Sequence, residues 1–454
     1  MKALYLSAAH KSSGKTTVTL GLCAAYAARG LSVSPFKKGP DYIDPMWLSM
    51  AAGLPCHTLD FYTMEQQEIL GLYQQERRGS DLLLVEGNKG LYDGLSLDGS
   101  DSNGAMTKLL GLPVVLVINT NGITRGIAPL LQGYQQFDSD IEFAGVILNQ
   151  TGNSRHEQKL QQVVEHYTDF PVLGTIRRHP DLEIVERHLG LVPSNEADAA
   201  RNKIESIRRA IESQVDLERI LELSKELDED EAPTSSTPLE IHPDPVRIGI
   251  ARDEAFGFYY TADLDAFRQQ GAELVPFSPI HDKQLPEVDG LLIGGGFPET
   301  HMVELEQNGE MRRAIHEAID AGLPSYAECG GLMYLSRKIK WGDCAAEMVG
   351  VIEGECQMHK RPQGRGYARF SRNGVDEIPA HEFHYSSLEG LPEQTEYAHT
   401  IHRGYGIDGK NDGVVYKNLL AGYVHQRNTR QNPWVKSFVD RVRQAKQKRD
   451  KEVS

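Results

Sequence analysis

The 454-residue chain reads as an α/β protein of two domains, each built on a largely parallel sheet. Three observations predict this. The length exceeds what one ordinary core supports. Continuous apolar runs alternate with helical patterns over residues 1–195 and again over 246–445. Between them lies a stretch with almost nothing to bury.

In the first domain the buried-strand candidates are KALYLS, LSVSPF, DLLLVEG, PVVLVIN, FAGVILN and PVLGTI. Apolar runs without alternation suit strands covered on both faces. Residues 15–29 and 154–167 carry the intervening helical patterns. Residues 196–245 are expected to form a helix and then a linker. The run ELDEDEAPTSSTPLEIHPDP (226–245) is acidic, then rich in Pro, Ser and Thr. The second domain opens with VRIGIA at 246–251 and continues through DGLLIGGG (289–296) and PSYAECGG (324–331). Its tail, VKSFVDRVRQAKQKRDKEVS, reads as a helix fraying into a charged end.

Composition narrows the partners. A formal net charge of −16 disfavours nucleic acid and anionic membrane. It leaves room for an anionic small molecule, because helix ends, glycines and lysines bind anions locally. The five cysteines (Cys23, Cys56, Cys329, Cys344, Cys356) show no CxxC spacing, which argues against a zinc site or disulfide framework. With no membrane-length apolar run and no leader pattern, a cytoplasmic protein is expected.

AAHKSSGKTT follows a strand and opens a helix. Gly14, Lys15, Thr16 and Thr17 form a P-loop core: backbone N–H groups cradle phosphates, the lysine reaches the outer phosphates, and the Thr16 hydroxyl binds Mg²⁺. Ala9 stands where the full pattern has glycine, so the motif is a variant. Glu86 ends a strand, where a second Mg²⁺ partner belongs. KKGPDYIDP (37–45) and GLYDG (90–94) add lysines, Asp41 and Asp93 around turns, an anion- and carboxylate-handling rim.

YAECGGL has the form of a nucleophile elbow. Cys329 sits between an apolar strand and two glycines, and the Gly330 N–H faces the developing oxyanion. The glycine run of IGGGFPE, with Gly295, is a source of a second donor. The base is to be sought among His381, His384 and His425; His425 follows a short apolar run, as a strand-end base should.

The ordered runs SSGKTTVTLGL, PFKKGPDYIDP, VEGNKGLYDG, ERHLGLVPSNE, GGGFPE, YAECGGLMYL, HKRPQGRGY, HEFHYS and GYVHQ resemble those of cobyrinate a,c-diamide synthases. The likeness covers nearly all of residues 1–430 apart from the linker. It implies a P-loop NTPase-type domain similar to dethiobiotin synthetase, joined to a class I glutamine amidotransferase-like domain. ATP would phosphorylate a peripheral carboxylate of a modified tetrapyrrole, and ammonia from glutamine would displace the phosphate. Residue by residue, the resemblance implies Lys15 and Thr16 at ATP and Mg²⁺, with Glu86 as the Walker B-like acid. Asp41, Ile43 and Asp93 would lie around ATP, metal and the reacting carboxylate, with Cys329 as nucleophile and His425 as its base. A homodimer is an implication of the family alone.

Two departures bear on substrate and base. Asn88 and Lys89 stand before Gly90 where the family run is closer to EGVMGLYDG; the EGNKGLYDGL form of this chain is similar to that of siroheme amidases that accompany dissimilatory sulfite reductase. That makes a siroheme or sirohydrochlorin amidase the alternative. Arg427 stands two residues after His425, where ordinary class I amidotransferases carry a glutamate, which leaves the orientation of His425 open. A remoter alternative is a partitioning-type ATPase switch; its signature lysine is displaced here, and such switches lack a cysteine elbow.

Overall fold

The computed structural model describes residues 1–182, 184, 186–187, 190–191, 197–228 and 244–453. The chain divides into two compact units, Met1–Ser236 and Thr237–Ser454.

The first unit runs β1 (Lys2–Ala8), α1 (Lys15–Ala28), β2 (Val33–Lys38), α2 (Ile43–Ala52), β3 (His57–Leu59), α3 (Gln66–Gln75), β4 (Leu82–Glu86), α4 (Asn103–Leu110), β5 (Val114–Asn119), α5 (Ile127–Phe137), β6 (Phe143–Thr151), α6 (Ser154–Tyr167) and β7 (Val172–Arg177). Short strands β8 (Glu186–Arg187) and β9 (Gly190–Leu191), helices α7 (Ala197–Gln214) and α8 (Leu217–Leu223), and β10 (Lys225–Glu226) complete it. Six strands are those expected from the apolar runs; the three-residue β3 is too short to have shown itself. The sheet order is β3-β2-β4-β1-β5-β6-β7, and these pairings are all parallel. Val114 to Val117 are fully buried, the outcome expected for a strand covered on both faces.

The helix expected after residue 195 packs onto the first unit. Helix α7 packs along α1, and β10 pairs antiparallel with β1 at Lys2↔Glu226 and Ala3↔Lys225. The reason is amphipathicity: Ile204, Ile207 and Ile211 form one buried stripe of α7, while Glu205, Arg208, Arg209 and Glu212 pair on its other side. Residues 229–243 of the expected linker, and most of ERHLGLVPSNE, lie outside the described residues.

The second unit runs β11 (Val246–Ala251), β12 (Phe256–Phe258), α9 (Thr261–Gln269), β13 (Ala272–Phe277), β14 (Gly290–Ile293), β15 (Gly295–Gly296), α10 (Met302–Gln307), α11 (Gly309–Asp320), β16 (Ser325–Glu328) and α12 (Gly330–Leu335). It continues with β17 (Lys338–Trp341), β18 (Cys344–Glu347), β19 (Glu355–Met358), β20 (Gly364–Arg372), β21 (Val375–His384), β22 (Ser386–Glu389), β23 (Glu396–Arg403), β24 (Asn411–Tyr416), β25 (Leu419–Gly422) and α13 (Trp434–Val453). The main sheet order is β13-β11-β14-β16-β25-β24-β23-β20-β21. Its first five strands are parallel and the rest antiparallel. One face packs on Phe267, Trp434, Phe438 and Val442; the other is covered by Met311, Ile315 and Ile319 of α11 and by α12. In both units the chemistry-bearing loops follow the carboxyl ends of parallel strands, where ligand crevices open in α/β folds. Among the described residues no helix is long and apolar enough to cross a membrane.

Candidate active site

The phosphate-loop cluster belongs to the first unit. β1 ends at Ala8 and α1 starts at Lys15, with Gly14 as N-cap at φ 82°. Only glycine adopts that left-handed backbone without strain. The Asn149 amide, from β6, donates to the Ser13 carbonyl at 2.8 Å and so pins the loop from below. The Thr16 hydroxyl donates to Glu86 Oε1 at 2.7 Å and lies 3.3 Å from Asp44 Oδ2. Lys15 Nζ stands 3.4 Å from the same Glu86 oxygen. Lys37, at the end of β2, donates to Glu86 Oε1 at 2.7 Å and to Asp44. Glu86 is fully buried, and its Oε2 has no hydrogen-bond partner.

The two buried lysines are shifted in opposite directions. Burial, and then the neighbouring Lys37 ammonium, pull Lys15 below the usual lysine range. Burial works against the charge of Lys37 too, but the Asp44 and Glu86 carboxylates outweigh it and hold Lys37 well above that range.

Asp41, expected at the metal, also holds the start of a helix. Its carboxylate accepts from the N–H groups of Ile43 at 3.0 Å and Asp44 at 3.1 Å, capping α2. Burial and the adjacent Asp44 carboxylate raise its pKa well above the carboxylate range. Asp44, one helical turn on, is the acid that reaches Thr16. Ile43 opens α2 and is buried; Thr17 is half-buried on the first turn of α1.

The loop after β4 meets the phosphate loop. Leu91 N–H donates to Ala8 O at 2.8 Å, and Asp93 Oδ2 accepts from Gly90 N–H at 2.9 Å. Asp93 and Lys89 are exposed. Asn88 is held inward: its N–H donates to Asn103 Oδ1 at 3.1 Å, and its side chain packs against Gly39. Of the two residues that depart from the family run, Asn88 thus joins two loops and Lys89 faces outward.

The cysteine cluster belongs to the second unit. Cys329 links β16 to α12 with φ 48° and ψ −101°, a strained backbone for a side-chain-bearing residue. The two glycines after it are required by close approach. A Cβ on Gly331 would lie 2.1 Å from Ile293 O, and one on Gly330 would lie 2.9 Å from Gly296 N. That approach brings the start of α12 beside the strand carrying Gly295 and Gly296. A Cβ on Gly295 would touch His425 Cε1 at 2.9 Å, so the expected donor strand borders the expected base.

His425 follows β25 and its ring lies beside Cys329, whose Sγ also reaches the Phe383 carbonyl at 3.9 Å. Its Nδ1 is 3.3 Å from Glu328 Oε2. Burial opposes its charge, but the bonds to Cys329 and Glu328 prevail and raise its pKa to about 10. His381, on β21, stacks on it with ring centroids 4.8 Å apart. Burial, then the charges of His425 and Arg427, drive His381 well below the usual histidine range. Of three candidate bases the structure joins His425 to Cys329. His384 instead stacks on Tyr423 and bonds the Ser386 carbonyl.

Arg427 is buried over the Tyr260 ring, 4.8 Å from its centroid, so it cannot take the glutamate's place at His425. Reading the sequence placed Asp44 and Lys37 in the rim without an individual role, and missed Asn149 and Glu328. Asp44 and Lys37 lay inside the quoted KKGPDYIDP run; Glu328 was visible only as the neighbour of Cys329. Asn149 carried no local signal.

Comparison with known proteins covers both units. The CobQ/CobB/MinD/ParA nucleotide-binding domain matches residues 8–192, and the CobB/CobQ-like glutamine amidotransferase domain matches 247–433. A cobyrinate a,c-diamide synthase of Magnetococcus marinus is 44% identical over 435 residues, 93% of each chain. The enzymes of that name from Methanosarcina acetivorans (41% identical, 92% of this chain and 91% of the relative) and Dehalococcoides mccartyi strain CBDB1 (39%, 93% and 94%) extend the likeness. With a phosphate loop on a parallel sheet, a cysteine elbow after a parallel strand of a mixed sheet and relatives matched over nearly their whole length at this identity, the chain belongs to the cobyrinate a,c-diamide synthase family, glutamine-hydrolysing carbon–nitrogen ligases that use ATP.

Proposed function

We propose that the substrate is cobyrinate, amidated on two acetate side chains at the expense of ATP and glutamine. The observation that carries this is the full-length likeness to cobyrinate a,c-diamide synthases across both units. The chemistry follows from the two clusters. A carboxylate does not condense with ammonia in water, because hydroxide is too poor a leaving group. Transfer of the γ-phosphoryl group of ATP to the carboxylate gives an acyl phosphate, from which phosphate leaves instead.

In this reading the backbone of residues 10–15 and the Lys15 ammonium hold the phosphates. Thr16 and Glu86, with its unpartnered buried oxygen, fit a Mg²⁺ ion, with Asp44 as the nearest further carboxylate. That ion would supply charge neutralisation for the transferred phosphoryl group. Asp93, exposed at the loop tip, and Asp41, raised and close by, border the carboxylate to be amidated.

At the second site the Cys329 sulfur attacks the glutamine carboxamide carbon. The His425 imidazolium favours a thiolate nucleophile and protonates the departing nitrogen. The Gly330 N–H and the Gly295–Gly296 strand are the proposed oxyanion donors. Ammonia leaves, and water then cleaves the thioester to give glutamate and free thiol. The released ammonia attacks the acyl phosphate. On family grounds we also propose a cytoplasmic homodimer.

The test is mass spectrometry of products formed with ATP, Mg²⁺ and either glutamine or ammonium, for the native chain and Cys329→Ala. Two successive losses of about one mass unit from cobyrinate are expected, each an OH replaced by NH₂. Cys329→Ala should abolish the glutamine-driven reaction and keep the ammonium-driven one. A single such loss from siroheme, with cobyrinate unchanged, would replace the substrate while keeping the chemistry.

A further inference from the structure

We propose that Glu328, the residue immediately before the nucleophile, is the positioning residue that orients His425 in place of a glutamate further along the chain. The inference rests on the glutaminase reading of Cys329 and His425 and deepens it.

The geometry is specific. Glu328 ends β16, and His425 lies just beyond β25, the parallel neighbour in which Glu328 pairs with Gly422. Adjacent strand ends therefore bring the two side chains together, with Glu328 Oε2 3.3 Å from His425 Nδ1. The other oxygen, Oε1, is fixed by two donors: the Tyr326 hydroxyl at 2.5 Å and the Gln426 N–H at 3.0 Å. The second donor belongs to the residue after His425, so the carboxylate holds the histidine by its ring and by its backbone. Tyr326 is itself held by the Gln426 side-chain amide at 2.7 Å. Glu328 is 7% exposed, and a buried carboxylate is costly unless its acceptors are used.

The chemistry needs this. A base that passes a proton between sulfur and nitrogen must present one ring nitrogen to the sulfur. An acceptor on the other nitrogen fixes the tautomer and stabilises the imidazolium. Arg427, at the usual place for that acceptor, is a donor and lies over Tyr260. The groups facing His425 are Cys329 at the head of α12, Glu328 of β16 and the stacked His381 of β21; Arg427 and Tyr260 stand behind His381. Of these, Glu328 is the one that supplies a negative charge at Nδ1.

The experiment compares native chain, Cys329→Ala, Glu328→Gln and Glu328→Asp, each checked for an unchanged near-ultraviolet circular dichroism spectrum. Glutaminase rate is measured from pH 6 to 10.5, and the His425 ring is titrated by NMR with labelled histidine. Glu328→Gln is expected to lower kcat on the order of 100-fold with little change in KM. It is also expected to bring the His425 titration down from near 10 toward the ordinary histidine value. Glu328→Asp should recover part of both. If Glu328→Gln misfolds, Tyr326→Phe removes one donor to the carboxylate and should lower kcat several-fold, about the effect of one hydrogen bond. A Glu328→Gln enzyme with native kcat and an unmoved His425 titration overturns the inference while Cys329→Ala remains dead. Glutaminase activity surviving in Cys329→Ala overturns the reading beneath it instead.

Discussion

Asp263 shows how one buried side chain is held by competing terms. Burial raises its carboxyl; the Arg427 guanidinium, the Asn428 N–H and the Trp434 indole N–H pull the other way, and the net value is about 7. A carboxyl raised from 3.8 binds its proton more tightly in the fold. Its contribution to stability is therefore complete below the unfolded value and is lost as pH rises through about 7. Asparagine copies the neutral form at every pH. Relative to the native chain, Asp263→Asn should accordingly gain stability between pH 5 and pH 8, on the order of 2 kcal/mol. Thermal melts of both chains at the two pH values check this, and a difference that is flat or opposite in sign refutes the assignment. Asp263 carried no sequence signal, because its partners come from beyond β25 while it sits on α9.

At the scale of elements, the pairing of α1 with α7 is the contact that composition did not reveal. Gly21 lies mid-helix in α1, where alanine would normally add about 1 kcal/mol through helix propensity. Here a Cβ would lie 2.2 Å from Ile211 Cγ1 and 3.0 Å from Ile207 Cγ2. Overpacking of that kind costs about 1–3 kcal/mol, so Gly21→Ala should destabilise despite the better propensity. Urea unfolding reads the net effect. In an Ile211→Ala background the same substitution should become neutral or stabilising, and equal damage in both backgrounds would contradict the packing. The strands were legible because each is a continuous apolar run, and the phosphate loop and the elbow because a strand, a glycine and a reactive side chain fall together. The extent of the first unit was not. An amphipathic helix announces that it packs, but its partner, α1, lies nearly the length of the unit away.

For the whole molecule, the five cysteines give a measurable pattern. Cys344 is exposed; Cys23, Cys56 and Cys356 are buried, and burial pushes their thiols up, Cys356 to about 12. Cys329 is buried too, but at the mouth of an elbow. A thiol reagent should modify Cys344 rapidly and Cys329 more slowly, the latter suppressed by glutamine, with the other three reacting only in denaturant. Peptide mapping of the labelled protein separates these cases, and early labelling of Cys23, Cys56 or Cys356 would mean that the cores burying them open readily. At this scale the sequence was informative about chemistry and less so about which acids do what. Asp41 and Asp44 stand three residues apart in one quoted run, and only the first turn of α2 decides that one caps the helix while the other faces Thr16.

The adjacency of Glu328, Cys329 and Gly330 has a consequence for how such a site survives mutation. Acceptor, nucleophile and amide donor occupy three successive codons at one strand end, so their mutual placement is inherited with the chain itself. A single in-frame deletion there would erase all three at once. Downstream of β25 the chain delivers the remaining part, the His425 ring, together with the Gln426 amide that ties it back to Glu328.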